Sequence, residues 1–291
     1  MSHLAKALVE QLRQAPNHRL TAIVEMARLK APERQRLVDR YVGTAQPLLQ
    51  LDHFSNLRHI GPWLFFPGQQ MDLESQYDFH CELTDIAGDA LCSWIVSALE
   101  PSKLAGHLAQ ATTARGPDGG TYLLRFHTEQ AFPVLHARHD LPGVATLLAP
   151  IRSWWVMEPH PNHKAWRHYA GYDQPQVDAV PLIQLDQECW DALAGDPLSY
   201  HLADQLEKPL ASGLSENCHG TRLGKVRQLL AEARASGLDQ SGDQSDYVTL
   251  LIRHGEELRG TAAWQEALAE VRGGGRSLAV ALKARIRPNI E

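Results

Sequence analysis

Long apolar runs are missing from this sequence. No stretch of its 291 residues approaches the ~18 that a membrane-spanning helix needs, so no such helix is expected. Cysteine is scarce: Cys81, Cys92, Cys189 and Cys218 are the whole supply, and none forms a CxxC pair. That argues against a zinc finger or a redox pair, and the four read as buried free thiols. The signatures of common catalytic sites are missing too. There is no GxSxG elbow, no HExxH, no GxxxxGKS or GxxxxGKT phosphate loop and no GxGxxG. Gly273-Gly274-Gly275 has no preceding strand and no lysine–hydroxyl partner, so it reads as a break between helices.

An excess of positive charge is also lacking. Lysine and arginine total 28 against 34 acids, a net charge of −6, which disfavours general nucleic-acid binding. Only the tail departs from this, with Arg272, Arg276, Lys283, Arg285 and Arg287. A solvated helix face explains it more simply than a patch for an acidic partner. The first twelve residues form an amphipathic pattern broken by Lys6 and Glu10, without the apolar centre of a signal peptide. With free cysteines, this sets the expectation of a cytoplasmic protein.

What is present is an ordinary globular composition, 44% hydrophobic and 21% charged, long enough for a sizeable core. Leu4, Leu8 and Leu12 predict a first helix. LTAIVEMA (20–27) reads as a buried strand, and Pro32 opens a charged helix. Residues 47–51 and 61–66 read as strands, the latter bracketed by Gly61-Pro62 and Pro67-Gly68. Phe79, Cys81 and Leu83 alternate with His80 and Glu82, which predicts a half-buried strand. Residues 91–97 form an apolar strand, Pro101 opens a helix, and Asp118-Gly119 turns the chain into a strand over 121–126.

From His160 to Pro181 no period is sustained, the texture of a linker or crossover. Beyond it Leu198, Leu202, Leu206 and Leu210 make one helical stripe. Leu223, Val226, Leu229, Leu230 and Ala233 make a second, with Gly237 at the C-cap position. Tyr247, Leu250, Leu251, His254 and Leu258 make a third. The expected organisation is a mixed α/β lobe of α+β class over 1–159, a linker over 160–183 and a small all-helical lobe over 184–291.

Fifteen histidines raise the question of a metal. His136, His139 and Asp140 form one cluster, and His160, His163 and His168 another. The first has no strong third ligand spaced to complete a zinc site, and His160 and His163 lie in the Pro-rich linker, where loop histidines usually face solvent. The paired acids Asp72/Glu74 and Asp85/Asp89 read as turn residues and strand ends. On adjacent positions of a strand, Trp154 and Trp155 face opposite sides. One would fill the core while the other meets the helical lobe or a partner.

Residues 91–155 resemble the N-terminal lobe of the type VI secretion effector-chaperone family, the Tap/Tec adaptors. The resemblance rests on Trp94-Ile95-Val96-Ser97, His107-Leu108, Asp118-Gly119, Tyr122-Leu123-Leu124-Arg125-Phe126, residues 131–135, and Leu148-Ala149-Pro150-Ile151 leading to Trp154-Trp155. Upstream AIVEMARL and LLQLD, and downstream residues 233–238 before Tyr247, extend it over most of the chain. One departure stands out: Thr128-Glu129-Gln130 occupies the place of the family's usual Asp-Pro-Arg.

The resemblance implies a non-catalytic chaperone of a Gram-negative bacterium, without a cofactor. It would bind a secreted effector and help load it onto the VgrG spike, directly or through a PAAR-type tip, with no nucleic-acid or membrane partner. Arg125, Trp155, Trp166 and Tyr247 are the expected partner-binding residues. Two rival readings remain from the residues themselves: a His/Asp metal-dependent hydrolase around His136 or His160, and an immunity protein that binds a toxin.

Overall fold

The computed structural model describes residues 3–68, 72–174, 178–211, 213–214 and 217–286. The chain divides into two compact units: Met1–Met157 with Trp166–Gly195, and Glu158–Ala165 with Asp196–Glu291.

The sheet-bearing part runs α1 (His3–Gln14), β1 (Arg19–Glu25), α2 (Ala31–Arg40), β2 (Ala45–Pro47), β3 (Pro62–Phe65), α3 (Leu73–Ala87), β4 (Leu91–Ser97) and α4 (Pro101–Gln110). It continues with β5 (Thr113–Arg115), β6 (Thr121–Leu123), α5 (Ala131–Ala137), α6 (Val144–Leu148), β7 (Ile151–Glu158), β8 (Ala165–Ala170), β9 (Ile183–Gln184) and α7 (Gln187–Ala194). A six-stranded sheet has the order β2-β3-β1-β4-β7-β8, and a small second sheet the order β6-β5-β9. β1 lies antiparallel between β3 and β4, and β4 antiparallel to β7. The class is α+β.

The apolar runs at 20–24 and 91–96 have no polar alternation because both faces of this sheet are covered. Leu20, Ala22, Val24, Trp94, Val96 and Trp155 enter one core with Leu4, Leu8 and Phe79 from α1 and α3. Ile23, Ile95, Trp154 and Val156 enter the other with Leu104, Leu108, Phe132 and Leu147. The two adjacent indoles of β7 do face opposite sides, and each fills a core of its own. Trp154 lies 4.3 Å from the Phe132 ring, centroid to centroid.

The structure corrects four expectations. Phe79, Cys81 and Leu83 lie on α3, not on a strand. Gln76, Phe79, His80, Leu83 and Ala87 are its buried positions, a helical period that the short alternation concealed. Asp72, read as a turn residue, is the N-cap of this helix and accepts from the Ser75 N–H at 2.8 Å. The strand expected over 47–51 is shifted, with β2 ending at Pro47. Within the stretch expected to be structureless, Ala165–Ala170 forms β8, an outer strand whose short length and mixed exposure leave little periodic signal.

The second unit carries α8 (Pro197–Gln205), α9 (Glu207–Ala211), α10 (His219–Ala235), α11 (Ser241–His254), α12 (Ala262–Arg272) and α13 (Leu278–Ile286). Leu202, Leu206, Leu223, Val226, Leu230, Val248, Trp264 and Leu282 are among its buried residues, so the helical stripes meet in one core. Gly237 follows α10 with φ +77°, the left-handed conformation expected just past a helix end. Residues 158–165 belong to this unit: a Cβ on Gly224 of α10 would stand 2.4 Å from the His160 carbonyl carbon. Of the basic tail, Arg276 and Arg285 both pair with Glu270, while Arg287 lies outside the described residues.

Candidate functional site

β1 is a central strand, so its last residue, Glu25, is carried into the interior and is only 3% exposed. A lone buried carboxylate is costly, and the surroundings answer it. The segment after β6 sends Phe126 into the core and turns Arg125 and His127 towards Glu25. Glu25 Oε2 accepts from Arg125 Nη2 at 2.8 Å and from His127 Nε2 at 2.9 Å. Burial pushes the Glu25 carboxyl up, but His127 and Arg125 outweigh it and bring it down to about 2. Burial holds the His127 imidazole below its ordinary value, against the pull of Glu25. A neutral ring donating from Nε2 fits this, and its Nδ1 has no protein partner among the described residues.

A second pair flanks the first. Arg28, carried on the turn after β1, donates from Nη2 to Glu129 at 3.1 Å and from Nη1 to the Asp89 carbonyl at 3.4 Å. Burial weakens the charged form of Arg28, yet the carboxylates of Glu129 and Glu25 keep it protonated. Cys92, at the start of β4, has its thiol pushed up to about 12, chiefly by burial. It is therefore neutral and a poor nucleophile. Ser93 Oγ donates to the His127 carbonyl at 3.2 Å, tying the segment to β4.

The tripeptide that departs from the family pattern lies in this segment, and each of its residues has a place. Thr128 Oγ1 accepts from the Ala131 N–H at the start of α5. Glu129 holds Arg28. Gln130 Nε2 donates to the Leu193 carbonyl at the end of α7 at 2.7 Å. Gly195 follows with φ +62°, where a Cβ would collide with the Gln130 amide. The tripeptide thus ties α5 and α7 to the turn that follows the central strand β1.

Arg125, expected from the sequence as a partner-binding residue, is the outward member of this cluster. Its side chain is 53% exposed while Glu25 beneath it is buried. Trp155 is enclosed among the residues of the α1/α3 face, with Nε1 donating to Gln11 Oε1 at 3.4 Å. Trp166 of β8 is half-buried against the same core, which brings these two tryptophans to one region. Tyr247 sits in the helical unit's core with its ring 5.2 Å from that of Trp264.

The histidine clusters are dispersed into other work. His136 Nε2 donates to the Ala170 carbonyl at 2.9 Å, and Asp140 is held by Arg138. His160 and His163 lie ring to ring at 3.8 Å, whereas His168 packs on Trp155. Among the described residues no three histidine, cysteine or acid side chains converge as a metal site would require.

Periodicity does not single out Glu25, Arg28, His127 or Glu129. The available signal was an acid closing an otherwise apolar strand run, since such an acid must either end the strand in solvent or find partners.

The domain so defined is an α+β unit in which buried charge holds a loop against a two-faced sheet. Residues 22–145, from β1 into α6, match the family model described as Domain of unknown function (DUF4123). The family is known as the effector chaperone, or adaptor, domain of type VI secretion systems. No curated protein and no solved structure matches the chain. No described helix is long and apolar enough to cross a membrane.

Proposed function

We propose that this protein is a non-catalytic adaptor chaperone that binds a type VI secretion effector in the cytoplasm and helps load it onto the VgrG spike or a PAAR-type tip. The observation that carries the reading is the match of residues 22–145 to the adaptor family, over the segment that builds the central strands and the Glu25 cluster. The chemistry of the cluster supports a binding role. Its carboxylates are paired, that of Glu25 ionised, its thiol is neutral, and its outward group is a guanidinium suited to acidic surface groups.

Arg125 and Trp166 retain exposed surface and are the residues that contact the partner. Trp155 and Tyr247 act from within, Trp155 by supporting the surface near Trp166 and Tyr247 by holding the helical unit.

The test is purification of the tagged chain after co-expression with the products of the genes flanking its own. Co-elution with a toxin-like or spike protein is expected. An adaptor's gene should lie between spike and effector genes, and failure to bind any of these products would sink the reading.

A further inference from the structure

β6 is the outer strand of the small sheet, and its hydrogen-bonding parity decides which of its backbone groups are used. Gly116 N–H donates to the Gly120 carbonyl, and Leu124 N–H to the Thr112 carbonyl, at 2.9 and 2.8 Å. In the antiparallel register Ala114 faces Tyr122, so residues 120, 122 and 124 direct their groups at β5. The N–H and C=O of Thr121 and Leu123 therefore point away from β5. Neither residue has a backbone partner on that side among the described residues. On β5 the alternate groups are taken, since Leu185 N–H donates to the Arg115 carbonyl at 2.9 Å.

This edge lacks the usual protections. Residues 121–126 contain neither proline nor lysine, and no bulge interrupts the β5–β6 register. Tyr122 and Leu123 are 38% and 41% exposed, among the few large apolar side chains left to solvent. The charged residues over 112–126 are Arg115, Asp118 and Arg125, a net of 2 − 1 = +1 in a chain of net −6. Asp118 is already engaged by the Tyr122 hydroxyl. Arg125 is fixed through one nitrogen to Glu25, and its remaining donors have no protein partner among the described residues.

We infer that the β6 edge receives an extended segment of the partner protein as an added strand, and that this segment carries an acidic residue for Arg125. The unpaired groups of Thr121 and Leu123 select an extended backbone. The exposed Tyr122 and Leu123 offer apolar contact on either face of the added strand, and the guanidinium supplies the charge preference. The inference rests on the adaptor reading and specifies where, and by what chemistry, that partner is held.

The outward N–H groups give a selective test, because proline at 121 or 123 removes a donor that β5 does not use. Binding is measured by biolayer interferometry between the full chain and each purified flanking-gene product. Thr121→Pro and Leu123→Pro should weaken binding at least tenfold while leaving the circular dichroism and thermal midpoint unchanged. Leu123→Lys, which keeps the backbone intact and charges the edge, covers the case in which a proline variant does not fold, and should weaken binding likewise. Arg125→Glu should weaken binding further. Wild-type binding that all four variants retain would overturn the edge proposal and leave the adaptor reading standing. A self-dimer that the proline variants dissolve would overturn it as well, by showing a second copy on the edge. No wild-type binding to any of these products would overturn both.

Discussion

Glu25 and His127, 102 positions apart in sequence, meet through a 2.9 Å hydrogen bond in which both partners are almost wholly removed from water. Arg125 reaches the same oxygen from the solvent side. Removing the carboxylate would leave a buried imidazole facing an apolar void and release Arg125. Leaving a buried donor unpaired costs about 1–3 kcal/mol, and the void left by the side chain adds to it. Glu25→Ala should therefore lower the urea midpoint markedly. Arg125→Ala, at a half-exposed position, should cost about 1 kcal/mol or less. Equal midpoints for the two variants would contradict this account.

Acid should destabilise the protein in two stages. Burial lowers the His80 imidazole to about 4, and His107 and His127 are shifted the same way. A depressed folded value means that the unfolded chain takes up protons first, so stability is full above pH ~6.5 and falls as the pH drops below it. For His80 the loss at pH 5 is about 2 kcal/mol. Glu25, held at about 2 against an ordinary 4.5, adds a further loss between pH ~4.5 and ~2. Thermal midpoints at pH 7.5, 6, 5 and 4 should fall progressively. His80→Leu should flatten the first part of the fall, and an unaltered profile in that variant would exclude His80 as a cause.

Much of the fold was legible because each signal came from one kind of burial. Apolar runs such as 20–24 and 91–96 mark strands covered on both faces, and leucine stripes mark helices covered on one. α3 was misread because Phe79, Cys81 and Leu83 satisfy a two-residue period over a length too short to expose the helical one. β8 was missed because an outer strand with Arg167 and His168 exposed needs no apolar pattern. The Glu25 cluster was illegible for a different reason. Its members come from residues 25, 28, 125, 127 and 129, and they meet because β4 pairs with β1 and holds the 125–129 segment through Ser93. Arg125 was reached through the family resemblance, while its buried counter-charge was not.

The Arg28–Glu129 pair should behave as a coupled unit. Glu129→Ala leaves Arg28, whose side chain is 22% exposed, without its carboxylate. That loss should cost about 2–3 kcal/mol, more than the paired replacement Arg28→Met/Glu129→Leu. A double-mutant cycle on urea midpoints should give a coupling of about 1–2 kcal/mol. A coupling near zero would mean that the tripeptide holds the loop through Thr128 and Gln130 alone.

Thiol reactivity should separate the four cysteines. Cys92, Cys189 and Cys218 are buried, and Cys81 on α3 is partly exposed. Cys92 and Cys189 are also held in the thiol form by burial. Titration of the native protein with an aromatic disulfide reagent at pH 8 should therefore show one fast thiol, absent in Cys81→Ser. A second fast thiol that is lost in Cys92→Ser would show that the sheet opens readily around β4.

The helical unit offers a sharper test at Gly224. A Cβ there would stand 2.4 Å from the His160 carbonyl carbon and 2.6 Å from the Pro161 nitrogen, both backbone atoms that cannot swing aside. In an exposed helix interior, glycine to alanine should gain about 1 kcal/mol. Here the collision must instead displace residues 158–165 or tilt α10, so Gly224→Ala should destabilise the helical unit. Limited trypsin digestion reads the displacement directly, because Lys164 lies in the segment that would be pushed away. Faster cleavage after Lys164, with the thermal midpoint lowered, is expected. A variant as stable and as resistant as wild type would mean that residues 158–165 do not pack on α10.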